Sequence, residues 1–304
     1  MTDTLSEYSV LALYSAMAIY AIAFVLFTLD LAKGASGDPV AGAEAQKVVV
    51  PERRKLARVA MALTVIGFAL QFAATLMRGV AASRVPWANM YEFAMTGTLI
   101  IVAVFLLVNL KWDMKFLGSF VTGLVLLLLG LAATRYYVEI VPLPPALQSY
   151  WLVIHVFVAT LATGFFALGF ALSLMQLLQT KRELAVAAKE KTRLAFLTRL
   201  PDSVQLENYA YRLIIIGFVL WTFTLIAGAI WAEKAWGRYW GWDTKEVWTF
   251  IIWTIYAGYI HARSTRGWRG TRSAWLAMIG FAAVIFNFTV VNIFFKGLHA
   301  YSGL

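Results

Sequence analysis

The chain has 304 residues, 61% of them hydrophobic and 14% charged, with a formal charge of +10. Soluble domains are roughly half apolar and about one-quarter charged, so this composition excludes a water-soluble globular protein, and the length divides into membrane spans. There is no cysteine, which excludes disulfides, thiolate metal ligands and any thiol nucleophile of the protein's own.

The first apolar run, Tyr8 to Leu31, is too long for the apolar core of a signal peptide and is expected to stay as a permanent helix. Runs long enough to cross a bilayer follow one another at 9–31, 57–77, 92–110, 116–134, 149–178, 211–232, 245–262 and 274–295. The expected fold is therefore an all-α polytopic transmembrane bundle of about eight helices. Residues 1–134 supply helices one to four, and residues 135–304 supply the core that carries the chemistry. The short Leu110–Lys115 turn makes helices three and four an antiparallel hairpin, and an even number of spans places both termini on one side.

Nineteen of the 26 Lys and Arg residues fall in one set of connections, among them Lys33, Arg53, Lys111, Lys181, Arg199 and Arg269. The other seven are Arg78, Arg84, Arg135, Lys234, Arg238, Lys245 and Lys296. The positive-inside rule makes the first set cytoplasmic, which puts both termini and the 231–245 connection outside. The basic charge is thus an orientation signal, and no nucleic-acid partner is expected. Two polar stretches, Gly34–Arg54 and Lys181–Asn208, carry no catalytic motif. The second is expected to extend helix five and end in a short amphipathic piece near Pro201 that meets lipid headgroups. No internal repeat of fixed period occurs.

Six of the twelve tryptophans lie between 231 and 253, in Trp231-Ala-Glu-Lys-Ala-Trp-Gly-Arg-Tyr-Trp-Gly-Trp-Asp-Thr-Lys-Glu-Val-Trp248 and just beyond it. An interfacial aromatic belt would spread over all helix ends, whereas this cluster sits in one connection. Trp231, Trp236, Trp240, Trp242 and Trp248 are expected to form a polarisable platform for a large planar ligand. Gly237 and Gly241 would let a ligand approach the backbone closely. Arg238, and with less support Lys234 and Lys245, could pair with acidic groups at the ligand's edge. A porphyrin with two propionates has that shape. Asp243 and Glu246 have the spacing of a helix-opening capping box, which explains them better than catalysis does.

The three histidines are separated by the topology. His155 opens helix five and His299 follows helix eight, both on the side of the tryptophans. His261 lies about 24 Å further along helix seven at 1.5 Å per residue, near the cytoplasmic face. A satisfied polar side chain explains any one of them alone equally well. Two on the face of an aromatic cluster favour axial ligation of one iron.

These residues resemble the WWD family of haem-handling membrane proteins, most closely its CcsA (ResC) subunits of the System II cytochrome c synthase. The likeness extends over Val85-Pro-Trp-Ala-Asn-Met-Tyr-Glu92, Leu147-Gln-Ser-Tyr-Trp-Leu-Val-Ile-His155, Tyr259-Ile-His-Ala-Arg263 and the segment from Asn292 to Tyr301. It departs at Thr244, where a proline often follows the aspartate, and at Ala300, where serine is common.

The resemblance implies a multi-pass protein of the plasma or inner membrane, or of a plastid thylakoid with its tryptophans towards the lumen. Its cofactor would be haem b, ligated outside by His155 and His299. His261 would be the transmembrane histidine that takes haem from the cytoplasmic side. It also implies a CcsB (ResB)-like partner subunit, and an apocytochrome c substrate whose Cys-x-x-Cys-His segment supplies both thiols and a new axial ligand. The chain would then be one subunit of a holocytochrome c synthase. Alternatives are a haem transporter and a System I WWD delivery protein. A cytochrome b-like carrier needs four histidines at two depths, and there are three.

Overall fold

The computed structural model describes residues 2–33, 55–140, 148–190, 194–265, 267–295 and 297–299. The Gly34–Arg54 linker, Pro144, Pro145, Lys296, Ala300 and Tyr301 lie outside the described residues. Among those described there are eight main helices: α1 (Thr2–Lys33), α2 (Lys55–Ala82), α3 (Met90–Lys111), α4 (Gly118–Arg135), α5 (Tyr150–Ala187), α6 (Ser203–Trp236), α7 (Thr244–Ser264) and α8 (Thr271–Phe286). The polytopic helical bundle is as expected.

Seven of the eight are long and apolar enough to cross a membrane, and α7 is not among them. It carries Lys245, Glu246, His261 and Arg263 within 21 residues, so its place in the bundle depends on neighbouring helices rather than on lipid. The helix ends follow side-chain chemistry. Asn89 caps α3 by accepting from the Glu92 N–H at 2.9 Å, Ser149 caps α5 and Asp202 caps α6, each satisfying an otherwise orphaned donor. Gly237, at φ 69°, ends α6 in the left-handed conformation that glycine adopts at little cost.

Two expectations change in detail. The polar stretch 181–208 is mostly helical: α5 continues to Ala187, a 3₁₀ turn spans Ala195–Arg199, and α6 begins at Ser203. Glu183 accepts from the Ser203 backbone N–H at 3.0 Å and Gln179 donates to the Pro201 carbonyl at 3.2 Å, so the turn folds back onto α5. The last helix is also interrupted, because residues Asn287–Val291 form a π-turn before Asn292–Phe294. Single π-turns inside helices frequently occur at functional sites.

α1 packs along α2 and α5 along α6, while α3 lies between α2, α4 and α5. Hydrogen bonds supplement packing where lipid supplies no hydrophobic drive between helices. Tyr20 Oη donates to Gln71 Oε1 at 2.9 Å, and Gln71 Nε2 donates to the Met95 carbonyl and to Thr98 Oγ1, which ties α1, α2 and α3 together. At the end of the bundle shared with the tryptophans, Glu92 is fully buried and bridges Arg78 at 3.1 Å and Arg84 at 2.6 Å. It also accepts from the Ala88 N–H, so it shapes the turn that carries Trp87. Glu92→Gln would leave buried guanidinium charge uncompensated, a loss of about 3–5 kcal/mol for such pairs. A clearly lower unfolding temperature in detergent is expected, measured by differential scanning fluorimetry.

Candidate functional site

The tryptophan segment is less of a loop than its composition suggests. α6 runs to Trp236 and α7 starts at Thr244, leaving only 237–243 as a turn. Trp231 and Trp236 therefore sit on the last turns of one helix and Trp248 on the second turn of the next. Nor is the surface flat. Trp231 meets Trp236 at 64° and Trp240 meets Trp242 at 88°, the edge-to-face geometry that ring quadrupoles favour.

Trp231 is the centre of the arrangement and is 0% exposed. His155 stacks on it at 6.0 Å and 19°, and His299 meets it edge-on at 5.5 Å. His299 also packs against Trp236 at 4.8 Å. Both histidines, with Trp231, Trp240, Trp87 and Lys245, line an apolar cavity of about 230 Å³. α5, α6 and the chain end after α8 thus bring together residues that are 144 positions apart.

Each imidazole is anchored through the same atom. His155 Nδ1 lies 3.0 Å from the Thr224 carbonyl, and His299 Nδ1 lies 3.3 Å from Asp243 Oδ1. The Thr224 carbonyl can only accept, so the proton sits on Nδ1 of His155, and the Asp243 carboxylate 3.3 Å from His299 Nδ1 favours the same tautomer there. Each Nε2 then keeps its lone pair for a ligand. His299, through that contact, holds the Asp243 carboxyl down at about 2, with help from the backbone N–H groups of Lys245 and Leu298. Asp243 is therefore an anion at neutral pH.

Gly228 on α6 makes room for the first ring. A Cβ at that position would lie 2.7 Å from His155 Cε1 and 2.9 Å from its Nδ1. Gly228→Ala is expected to turn the imidazole off the Thr224 carbonyl and lower ligand affinity by about tenfold, the lower range for losing an outer partner of a ligating histidine. Ligand titration against the unmodified protein measures this.

The remaining expected site residues divide. Trp242 is 78% exposed, with φ 61°, and is not on the cavity wall. Trp248 packs on Phe286 at 4.3 Å. Arg238 folds back over Gly241, with Nη1 3.5 Å from Glu246 Oε1, so in this arrangement it braces the turn. Asp243 and Glu246 do form the capping box, and Glu246 also accepts from the Gly241 N–H at 2.8 Å. His261 is exposed in the last turn of α7, about 26 Å along the helix from Thr244 at 1.5 Å per residue, and does not join the other two.

Two contributions escape sequence reasoning, and a third residue, Lys245, takes a role other than the ligand pairing expected of it. The Thr224 carbonyl is a backbone atom with no signature. The Asp243 contact to His299 spans 56 positions, and its only local signal is the cap. Lys245 is half-buried beside the cavity and donates to the Asn287 carbonyl at 3.2 Å and to Asn292 Oδ1 at 2.6 Å, gripping the π-turn.

A bundle of long apolar helices in which two imidazoles and a buried tryptophan line one cavity defines a polytopic helical membrane protein with a site at one end. The chain belongs to the cytochrome c assembly protein family, whose model matches residues 87–299. It is 34% identical to the cytochrome c biogenesis protein CcsA of Heterosigma akashiwo over 248 residues, covering 72% of this chain and 77% of that one. It is 33% identical to the protein of that name from Synechococcus elongatus over 263 residues, covering 74% and 81%. The solved cytochrome c haem lyase CcmF shares the fold at a TM-score of 0.65 and 18% identity, over 93% of this chain and 46% of that one.

Proposed function

We propose that this chain works in cytochrome c biogenesis, holding haem b between His155 and His299 and presenting it to apocytochrome c. The observation that carries this reading is the pair of imidazoles, each anchored at Nδ1, converging on Trp231 at one apolar cavity. A bare metal ion needs three or more side-chain ligands, and no such His, Asp or Glu cluster occurs among the described residues. A porphyrin brings four nitrogens of its own and asks the protein for only two axial donors. The cavity wall also carries Trp87 Nε1 and Asn287 Oδ1, both buried without a hydrogen-bond partner among the described residues, which suits a ligand with polar groups at its rim.

Bound haem supplies the vinyl groups to which the two thiols of a Cys-x-x-Cys-His segment add. The chain's own part is positional. Trp231 and Trp240 wall the site off from water, and the Nδ1 anchors of His155 and His299 keep both Nε2 atoms available. With haem held there, one of the two would give way to the histidine of the incoming segment. Lacking cysteine, the protein does not compete with its substrate for the vinyls.

The tryptophan end lies on the external or lumenal side, as the charge distribution indicates, and exposed His261 faces a CcsB (ResB)-like subunit that shares an inner haem station. The test is to purify the protein with and without such a subunit, record the visible spectrum, and co-express a Cys-x-x-Cys-His reporter. A bis-imidazole haem spectrum and thioether-linked haem on the reporter are expected. Haem release without attachment would favour a transporter, and no haem under either condition would end the reading.

A further inference from the structure

A residue that only caps a helix needs one acceptor and one local partner. Asp243 does more. Oδ1 accepts from the Lys245 N–H at 2.9 Å and lies 3.3 Å from His299 Nδ1, while Oδ2 accepts from the Leu298 N–H at 2.8 Å. A Cβ at Gly297 would fall on Asp243 Oδ2, so glycine is what allows this approach. The chain end that carries His299 is thus laid against the first turn of α7, and Lys245 holds the π-turn upstream through Asn287 and Asn292. His299 is mostly enclosed, with its side chain 16% exposed, and the Asp243 carboxylate lies 3.3 Å from its Nδ1, an atom that is buried and completes no hydrogen bond with any described residue.

His155 offers the contrast. Its Nδ1 faces the neutral Thr224 carbonyl, whereas the Nδ1 of His299 faces a carboxylate. An anionic acceptor pulls harder on the N–H and raises electron density at the opposite nitrogen, which is how outer-shell carboxylates raise the basicity of ligating histidines.

We propose that Asp243 is the positioning residue of His299: its carboxylate fixes the Nδ1–H tautomer, leaves Nε2 as the donor, and makes His299 the stronger of the two axial ligands. This rests on the reading that haem sits between His155 and His299. The consequence is an asymmetric pair in which the weaker donor, His155, is the one exchanged for the substrate's histidine.

Two variants separate this role from capping, because Ser and Asn are good caps. Asp243→Ser keeps a cap oxygen but cannot reach the ring. Asp243→Asn keeps a cap oxygen that reaches the ring, and loses the charge together with the acceptor for the Leu298 N–H. Both are purified with the partner subunit, and haem per protein, midpoint potential and rescue by added imidazole are measured. In Asp243→Ser the haem content is expected to fall several-fold and to recover with imidazole. In Asp243→Asn haem is largely kept and the midpoint potential rises, because a weaker donor stabilises ferric iron less.

His299→Ala is the control. If it keeps its haem and spectrum, the haem reading itself fails. If it loses haem while Asp243→Asn and Asp243→Ser match the unmodified protein in content and potential, Asp243 is a cap alone and the proposal is overturned. Should Asp243→Ser not accumulate in the membrane, the potential of Asp243→Asn decides.

Discussion

His155→Ala and His299→Ala are each expected to strip most of the haem from the purified complex and to abolish haem attachment to a reporter. The reason is geometric. Each histidine is the end of a fixed chain of contacts, Thr224 carbonyl to His155 and Asp243 to His299, and no other histidine lines the cavity among the described residues. The third histidine, His261, is at the far end of α7. Breaking an outer partner of a metal-bound histidine already costs about 10–100-fold in affinity, so losing the histidine itself should exceed that range. The two variants should differ in kind. His155→Ala would leave the Thr224 carbonyl beside a cavity next to Gly228, which added imidazole can enter. His299→Ala would also release the Asp243 carboxylate from its ring. Pyridine haemochrome content and the Soret position, with and without imidazole, measure both. Full haem and full attachment in both single variants would sink the ligand assignment.

Trp231→Ala is expected to be the most damaging single tryptophan change. The indole is 0% exposed and touches His155, His299 and Trp236 at 6.0, 5.5 and 4.7 Å. Its removal would leave a large void, and buried Trp-to-Ala changes cost about 3–5 kcal/mol. It would also remove the shared wall on which both imidazoles rest, so haem binding should fall together with stability. Trp242→Ala is the internal comparison. That ring is 78% exposed, and its loss should leave the unfolding temperature close to that of the unmodified protein. Thermal unfolding in detergent, followed alongside haem content, separates the two. Equal effects at 231 and 242 would mean that the tryptophans act as an undifferentiated surface.

How much of this is written in the sequence depends on the range over which each feature is determined. Helix identity is legible because a span must satisfy its own backbone, and length with apolarity signals that locally. The capping box at Asp243 and Glu246 is legible for the same reason, since it closes within three residues. The gathering of His155 and His299 is foreshadowed by the four helices, α5 to α8, that run from one to the other and return the chain to the same end of the bundle. The tryptophan connection is shorter than its composition suggests. Tryptophan and tyrosine do not break helices, so α6 continues to Trp236 until Gly237 turns the backbone left-handed.

Composition, span count, caps and the three histidines are fixed by residues acting on their near neighbours, and the sequence by itself determines a helical membrane bundle with two histidines at one end and a third at the other. Which tryptophan packs against both of those histidines, which one is left in the open, and which atoms hold each ring were decided only by the tertiary structure. Those contacts join α5 to α6 and the start of α7 to the chain end, across separations of 56 to 76 residues. No local propensity specifies such distances. They are set by close packing, where Gly228 admits His155 and Gly297 admits Asp243.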